Sequence, residues 1–489
     1  MILATLLFLT VAYTSAQGFD CPAVPFNSPD NITVWSWYPN NFSNTQPPLF
    51  PNDYNCNYKI KVPQGLSVVI RLFVNLTVPQ DRAVAVQVFD QNQNREAVYS
   101  ANDEHFFFIA GGGSIQLNTR DQNVHFGFAM RWYKDENAFT PQIGNVSVSA
   151  PQPLVWWAFG DNPYQIKAET RVSLVVTPPE NDFELQYLRG VIIYDGPDWN
   201  SKCLGNILQV FNSNRQLVSS GQYLSVRLLK PYYQTGRTML IFQDYQNTKD
   251  IVQYQGFACV DRMNCGTVKM DGSQGLAAFS TVNDDITAEY VTQVSGSGFL
   301  EVYIGGHNIA NLIATYTLDN TSSTYFPQEF LGYVRTYVLK GSSASVSLTR
   351  NSEDLSRNQA VGRKGFFASR YYKSGQPSRD QGIYDYIRAP RNQKFLYYFN
   401  IQEADFVGNT TLNVQVYNNG KNAFDQTFNA TNKPSFNTAY QALGDGFSAT
   451  FKTYGNVGNG FLLNYELRSG SGGFQLFTVM LITLFTLGR

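Results

Sequence analysis

The chain is poor in charged residues, histidine and cysteine. Only 15% of its 489 residues are charged and the formal net charge is −1, so no basic surface for nucleic acid is expected. The histidines are His105, His125 and His307, and the five cysteines contain no Cys-x-x-Cys pair typical of a zinc site. A Gly-x-Ser-x-Gly elbow and a phosphate-binding glycine loop are also missing. The sequence therefore predicts no catalytic residues, no metal and no cofactor.

Aromatic residues are plentiful and point to strands. They make up 15% of the chain, with 36 Phe and 30 Tyr. Such residues suit a pleated, half-buried surface. Residues 68–73 and 84–89 alternate between two sets of side chains, and a period of two over such runs is typical of strands. The predicted fold class is all-β.

A glycine followed by a phenylalanine and an aromatic-ended strand recurs four times. The copies are Gly127-Phe128, Gly256-Phe257, Gly365 with Phe367, and Gly460-Phe461. The matching phenylalanines are separated by 129, 110 and 94 residues, which is the spacing of domains. This predicts three to four tandem antiparallel β-sandwich modules, each closed by one copy. The expected bounds are 17–135, 154–261, 265–373 and 377–468, with a polar linker before the second module.

Both termini predict export. Residues 1–16 resemble a signal peptide, with an apolar run followed by Thr14-Ser15-Ala16, although an apolar first strand is the alternative. Residues 469–489 combine small residues with an uncharged stretch from Phe474 to Leu487. That stretch is shorter than the about 20 residues that span a bilayer. It predicts a glycosylphosphatidylinositol (GPI) attachment signal at Ser469, Gly470 or Ser471. A short membrane anchor and an apolar secreted tail remain alternatives.

Glycosylation sites and cysteines agree with an oxidising, extracellular compartment. The sequons begin at Asn31, Asn41, Asn75, Asn145, Asn320, Asn409 and Asn429. Cys21 and Cys56 are predicted to form a disulfide within the first module. Cys203, Cys259 and Cys265 leave one odd thiol. A bond between Cys203 and Cys259 is preferred, since Cys265 lies at a module junction, but the pairing is left open.

Two parts of the chain resemble known extracellular modules. In the second module, Tyr194-Asp195-Gly196, then Leu204-Gly205, Ser219-Ser220-Gly221 and finally Gly256-Phe257 resemble the pattern of a CUB domain. CUB domains are two-layered antiparallel β-sandwiches, so the resemblance implies that fold. About the first 135 residues resemble the nematode CUB-like family. That likeness is carried by Cys21-Pro22, Asn31-Ile32-Thr33, Trp35, Trp37, Asn55-Cys56 and Val62-Pro63-Gln64-Gly65. It implies a GPI-linked protein of membrane rafts with a role in innate responses to pathogens.

Many CUB domains bind calcium through loop carboxylates, which makes Asp195 a candidate ligand by resemblance. Nearby acidic residues are Glu180, Asp182, Glu184 and Asp198. The position where the family's last aspartate is expected reads Lys230-Pro231, and calcium needs six or more oxygen ligands. Asp195 is therefore interpreted as a turn cap.

Tryptophan pairs are the remaining candidates for binding. Trp35 with Trp37, and Trp156 with Trp157, could stack on sugars or apolar ligands, but packing on a core is the preferred interpretation. The function predicted from sequence is a non-catalytic extracellular binding protein. It is either GPI-anchored on the outer face of the plasma membrane or secreted, and its partners are glycans, microbial surfaces or other extracellular proteins. The alternative is a structural coat or glycocalyx protein of an epithelial surface.

Overall fold

A computed structural model describes residues 19–40, 42, 46–76, 84–135, 140–160, 162–179, 181–229, 237–259, 265–283, 288–318, 323–351, 359–370, 372–373 and 383–470. Strands dominate these residues, and the predicted all-β class is confirmed. The predicted signal peptide and residues 471–489, including Ser471, lie outside the described ranges. None of the helices in the described part of the chain is both long and apolar enough to cross a membrane.

Module 1 is a sandwich of two antiparallel sheets, ordered β1-β9-β4-β7 (with β2 beside β9) and β3-β8-β5-β6. Its strands are β1 (Ser36–Tyr38), β2 (Leu49–Phe50), β3 (Asn55–Ile60), β4 (Leu66–Leu76), β5 (Val86–Phe89), β6 (Arg95–Val98), β7 (Ala101–Phe108), β8 (Gly113–Asn118) and β9 (Val124–Lys134). Along β4, Val68, Ile70 and Leu72 enter the core because alternate residues of a strand face the same side.

Module 2 has one sheet ordered β10-β12-β17-β14-β15 and another ordered β11-β18-β13-β16. Its strands are β10 (Gln142–Val146), β11 (Leu154–Trp157), β12 (Tyr164–Ala168), β13 (Val172–Val176), β14 (Val191–Asp195), β15 (Lys202–Asn206), β16 (Leu217–Val218), β17 (Tyr223–Leu228) and β18 (Met239–Asp244). A 3-10 helix (Asp182–Gly190) precedes β14, and the α-helices are α1 (Ile207–Ser213) and α2 (Tyr245–Thr248). Asn206 caps α1 by accepting from the Gln209 backbone N–H at 3.1 Å.

Module 3 is one bent sheet whose halves share a core. Its strands are β19 (Ile251–Phe257), β20 (Gly266–Asp271), β21 (Leu276–Val282), β22 (Glu289–Ile304), β23 (Leu312–Thr317), β24 (Gln328–Phe330) and β25 (Val334–Thr349), with 3-10 turns at Ile309–Asn311 and Ser323–Tyr325. The long strands β22 and β25 pair along both halves, with a register shift between Ser297 and Phe299. Gly298 (φ +99°) lies at this bend, where a Cβ would be 2.3 Å from the Lys340 carbonyl oxygen.

Module 4 again has two antiparallel sheets, ordered β26-β33-β28-β31 and β27-β32-β29-β30. Its strands are β26 (Lys364–Ala368), β27 (Ile383–Arg388), β28 (Phe395–Ala404), β29 (Thr411–Asn418), β30 (Lys421–Phe428), β31 (Ala439–Gly444), β32 (Gly446–Lys452) and β33 (Phe461–Ser469). Its core is rich in aromatic residues, with the Phe447 ring stacked on those of Phe367 and Tyr397. No cysteine contributes to this core, so packing alone holds it.

Two of the four glycine-phenylalanine strands join the module that follows them, contrary to the predicted bounds. β19, expected to close module 2, pairs in parallel with β21. β26, expected to close module 3, pairs with β33. β10, placed by prediction in the linker, pairs with β12 of module 2. The recurring glycine-phenylalanine pattern marks a buried strand. Because a sheet edge can pair with a strand from either neighbouring segment, the pattern does not show which module contains that strand.

Modules 1 and 2 meet across a small apolar cluster and a buried arginine. Phe107 and Ile109 of module 1 pack with Ile192 of module 2. The Arg189 side chain is 8% exposed, and its guanidinium donates to the carboxylates of Glu96 (2.9 Å) and Glu104 (2.7 Å) in module 1. Because the buried guanidinium needs partners for its charge, these carboxylates of module 1 make the contact specific.

His105 makes this junction sensitive to acid. Its backbone N–H donates to the Gln186 side chain (2.9 Å), and burial lowers the pKa of its imidazole. The hydrogen bond to the Gln186 side chain and the charge of Asp103 act in the opposite direction, whereas Arg71 and Arg189 lower the pKa further. The unfolded histidine titrates near 6.5. The stabilisation by neutral His105 is therefore present above about pH 6.5 and is lost as the pH falls through the lower folded pKa.

We expect the unfolding midpoint of modules 1 and 2 to fall less between pH 7.5 and 5 in His105→Gln than in the wild-type protein. Thermal unfolding at each pH, read by hydrogen exchange of module 1 peptides, measures the difference. The matched control is His125→Gln, which changes a half-buried histidine on β9 of the same module. Equal pH dependence of wild type and His105→Gln would contradict the assignment.

Modules 2 and 3 are joined by a buried chain of hydrogen bonds. The Gln243 amide donates to the Tyr254 hydroxyl (2.8 Å), which lies 2.9 Å from the Ser280 hydroxyl. Ser280 in turn contacts Thr336, whose hydroxyl donates to the Gly305 carbonyl. Because buried polar groups are costly when unpaired, this chain favours one relative position of the two modules.

Candidate functional site

A cleft of about 360 Å³ opens between modules 3 and 4. Its volume lies within the roughly 300–1,000 Å³ typical of ligand pockets. Tyrosine, asparagine, glutamine, lysine and glutamate side chains line it together with a few apolar residues. A cleft with aromatic surface and several polar groups has the composition of a binding site.

The floor of the cleft is the outward face of the sheet β26-β33-β28-β31. Along β28 and β33 every second residue enters the module 4 core, so the alternate residues project from the other face. Those that line the cleft are Lys364 on β26, Tyr398 and Asn400 on β28, and Asn464 and Glu466 on β33. Asn400 lies opposite Asn464 in register, and Glu466 lies between Lys364 and Tyr398. Strand pairing thus places two amides side by side.

Module 3 supplies the wall through β23 and the segment after it. Tyr316 is buried, and its ring lies 5.0 Å from that of Phe326 and 5.9 Å from that of Tyr325. Tyr325 itself is 38% exposed. Burial raises the pKa of Tyr316, so its hydroxyl stays protonated. The wall therefore offers an accessible ring supported by a buried one.

Gln328 and Phe366 fix the wall against the floor. The Gln328 side-chain amide donates to the Phe366 carbonyl (3.1 Å) and accepts from the Phe366 N–H (3.2 Å), as a neighbouring strand would. The Phe366 ring packs into the module 3 core, 5.5 Å from the ring of Phe330. At Gly365 a Cβ would lie 2.3 Å from the Tyr465 hydroxyl, so the close approach of that ring requires glycine.

Arg363 ties the two modules together behind the cleft. Its side chain is almost fully buried and donates to the carbonyl oxygens of Thr324 (3.1 Å), Pro327 and Lys364. Guanidinium groups suit this role because they present several donors in one plane. The cleft is therefore built into a rigid junction.

Charge along the cleft is balanced. The Glu466 carboxylate accepts from the Arg468 guanidinium at 2.9 Å, and Arg468 lies 3.7 Å from the ring centroid of Tyr398. Lys364 is exposed and occupies the register position beside Glu466. One lining cation and one lining anion leave no strong attraction for a charged ligand.

One of the two predicted disulfides is confirmed and the other is wrong. Cys21 and Cys56 form a disulfide, as predicted, with a Cα–Cα distance of 5.5 Å. Cys259, the preferred partner of Cys203, is instead bonded to Cys265. Cys203 has a free thiol whose sulfur accepts from Gln91 at 3.3 Å. Cys203 lies on β15 at the junction with module 1, whereas Cys259 and Cys265 flank one short connection, which explains the correction.

Asp195 accepts a hydrogen bond from the Ser220 backbone N–H at 2.8 Å, so its carboxylate joins two loops that are far apart in the chain. Asp198 accepts from the Asn200 N–H at 2.9 Å, as a residue capping its own turn does. Glu180, Lys230 and Pro231 lie outside the described residues. Within the described residues, no group of three or more histidine, cysteine, aspartate and glutamate side chains could hold a metal ion.

Trp35 packs against the apolar cluster between modules 1 and 2, as the preferred interpretation expects of a core position, whereas Trp37 does not pack on the module 1 core. Tyr38 faces that core, and the Trp37 ring lies on the opposite side, 5.3 Å from the ring of Phe42. The Arg71 guanidinium lies 5.3 Å from the Trp35 ring and 5.8 Å from the Trp37 ring. Alternation along a strand does not show which of its two faces meets the core.

Trp156 and Trp157 pack against the module 2 core, and the Trp156 ring lies 4.5 Å from that of Tyr164. Both side chains are half-buried. Of the two tryptophan pairs, neither lines that cleft.

Sequon asparagines in the described residues lie at the surface. Asn31, Asn75, Asn145 and Asn409 are exposed and Asn429 is half-buried, whereas Asn41 and Asn320 lie outside the described residues. Ser469 is the last residue of β33, and Gly470 follows it directly. Glycan occupancy and anchor attachment stay predictions.

The cleft residues were not identified from sequence. Gly365 and Asn464 belong to the recurring glycine-phenylalanine phrases, but the polar positions carry no motif. The available signal was a polar residue at alternate positions of otherwise aromatic strands, as in Leu463-Asn464-Tyr465. Strand pairing brings the floor residues together, and docking of module 3 on module 4 adds Tyr325.

Comparison with protein families identifies three segments. Residues 16–135 match the CUB-like domain, a kind of module typical of extracellular proteins, so module 1 carries a CUB-like domain. Residues 145–229 match a domain of unknown function (DUF7592), and residues 246–351 match another (DUF7591). The latter segment includes β19, which pairs with β21 in module 3.

Solved structures with CUB domains overlap parts of the chain. The CUB1-EGF-CUB2 region of human MASP-1/3 has 11% identity and a TM-score of 0.17, covering 41% of this chain and 98% of its own length. The corresponding region of rat MASP-1 has 10% identity and a TM-score of 0.16, covering 44% of this chain and all of its own. Scores this low carry no information about function. No curated protein matches the chain.

Proposed function

We propose that this protein is a non-catalytic extracellular binding glycoprotein, held on the outer face of the plasma membrane by a GPI anchor. The observation that carries the proposal is the cleft between modules 3 and 4, which has a volume of about 360 Å³ and is lined by tyrosine and amide side chains. The CUB-like domain at residues 16–135 supports the extracellular, non-catalytic part. The resemblance of that segment to the nematode CUB-like family extends the proposal to membrane rafts and innate defence against microbes.

Binding at the cleft is tested with the full mature protein on intact microbial and epithelial surfaces. Asn464→Trp places a bulky ring at an exposed position of the floor, and we expect it to abolish saturable binding. Gln441→Trp is the matched control, since Gln441 lies beside Tyr398 on the same sheet face but outside the cleft lining. Equal binding by both variants would reject the cleft as the site. Self-association that rises with concentration, without saturable binding, would support the coat-protein alternative.

We expect a phosphatidylinositol-specific phospholipase to release most of the protein from membranes. A 14-residue stretch from Phe474 to Leu487 spans about 21 Å as a helix, short of the roughly 30 Å hydrocarbon core. Replacing Ser469, Gly470 and Ser471 together by leucine should prevent attachment, because the transferred site needs small residues. Recovery of peptides 474–489 from membrane-bound mature protein that resists the lipase would contradict the anchor.

A further inference from the structure

We infer that the module 3–4 cleft binds a neutral sugar ring, which rests on the proposed function of that cleft as a binding site. Four features of the cleft favour this ligand: the hydrogen-bonding groups of the floor, the exposed rings, the arrangement of charge and the bonded edge of the floor sheet.

Side-by-side amides match the hydroxyls of a sugar. Asn400 and Asn464 are register partners on β28 and β33, and both line the cleft. The Asn400 side-chain oxygen accepts from the Gln402 side-chain NH2 group at 2.7 Å. This bond leaves the Asn400 NH2 group as the donor for a ligand. A carboxamide both donates and accepts, and so does a hydroxyl, so neighbouring hydroxyls of one ring can be bound in both senses.

Exposed tyrosine rings supply the apolar surface that the C–H face of a sugar needs. Tyr325 on the wall is 38% exposed and rests edge-on against Tyr316. Tyr398 on the floor is half-buried and held from one side by Arg468, 3.7 Å away. Rings that are fixed before binding lose little conformational freedom when a ligand arrives.

The charges of the cleft disfavour an ionic ligand. Glu466 is already paired with Arg468 at 2.9 Å, and Lys364 lies beside Glu466 in register. A phosphate or a carboxylate that contacted Lys364 would also lie beside the Glu466 carboxylate. An uncharged, polyhydroxylated ligand avoids that repulsion and keeps the amide contacts.

A peptide strand cannot extend the floor sheet at the cleft, because the edge of that sheet is already bonded. β26 is the edge strand, but its Phe366 N–H and carbonyl are bonded to Gln328. Its Lys364 carbonyl accepts from Arg363. Peptides that add to a sheet use such edge groups. The edge is therefore occupied by side chains of this chain.

Position relative to the proposed anchor raises two sources for the sugar. Glu466 lies three residues before Ser469 on β33, which is about 10 Å at roughly 3.3 Å per residue. A cleft this close to the attachment point can reach the headgroup of a glycolipid in its own membrane. A free oligosaccharide from another surface presents the same chemistry.

The test uses the full mature protein and four probes. These are liposomes containing a neutral glycosylceramide, the matching free oligosaccharide, liposomes of phosphatidylserine and an extended peptide of mixed sequence. We expect saturable binding to one or both sugar probes and none to the others. Asn464→Ala and Tyr398→Ala should each weaken sugar binding about ten-fold, and Gln441→Ala should leave it unchanged.

Binding to the four probes distinguishes the source of the sugar, the kind of ligand and the location of the binding site. Binding to the glycolipid alone places the sugar in the protein's own membrane, and equal binding of the free sugar shows that the lipid is not needed, so that a sugar on an opposing surface fits as well. Binding of the peptide or of anionic liposomes, weakened by Asn464→Ala, overturns the sugar but keeps the cleft as a binding site. Sugar binding that all three variants leave unchanged overturns the assignment to this cleft.

Discussion

Replacing Glu289 by leucine is expected to lower the free energy of unfolding of module 3 by about 3–5 kcal/mol, since it leaves a buried cation without its counter-charge. The Glu289 and Arg335 side chains are both 0% exposed and 4.0 Å apart. Glu289 also accepts from the Tyr337 hydroxyl at 2.6 Å. The pKa of Tyr337 is raised mainly by burial of its hydroxyl and, to a smaller extent, by the Glu289 carboxylate. Urea titration followed by hydrogen exchange of module 3 peptides measures the loss.

Two further variants make this prediction specific. Lys373→Met removes one partner of the surface pair Lys373–Glu403, whose side chains are 32% and 49% exposed, and leaves the Tyr372–Glu403 hydrogen bond in place, so it should cost less than about 1 kcal/mol. The double variant Glu289→Leu/Arg335→Met should recover part of the loss, because apolar groups can replace a buried pair. A single variant as stable as the wild-type protein would show that the pair contributes nothing.

Replacing Cys21 and Cys56 together by serine is expected to destabilise module 1 by about 3–4 kcal/mol. The disulfide closes a loop of sequence separation 35, and the unfolded chain gains that freedom when the bond is removed. The bond holds the amino-terminal segment over the sandwich, where Phe19 stacks on Phe50 at 4.1 Å. Urea unfolding monitored by tryptophan fluorescence and by exchange of module 1 peptides reports the change.

The matched control is the pair Cys259→Ser and Cys265→Ser. That disulfide closes a separation of only 6, for which the same chain-entropy relation gives about 2 kcal/mol. The loss should appear in module 3, since Cys265 packs against its core. An equal or larger loss from this second pair would mean that loop entropy does not govern the two bonds.

Strand formation was predictable to a large extent from local sequence. The alternation of Val68, Ile70 and Leu72 with their neighbours predicts β4, and the structure places the first set in the core. The likeness of the first 135 residues to CUB-like domains agrees with the detected family segment. Both depend on the sequence of a short stretch of chain. In a strand, successive side chains point to opposite faces, so buried positions repeat every two residues.

Assignment of strands to modules was much less predictable. The phrases at Gly256 and Gly365 were expected to close modules 2 and 3, but their strands pair in modules 3 and 4. The candidate cleft was missed for the same reason. Asn400 and Asn464 become neighbours only through the register of β28 and β33, and Tyr325 reaches them only because module 3 docks on module 4.

By itself the sequence determined the all-β class, because the preference of aromatic and β-branched residues for a pleated strand acts residue by residue. Tertiary structure alone decided that Cys259 bonds to Cys265, that β26 lies beside β33, and that a cleft opens at the last junction. Such outcomes depend on hydrogen bonds and contacts between residues far apart in the chain. The alternation of buried and exposed side chains along a strand does not distinguish between registers or partner strands that bury the same face of that strand.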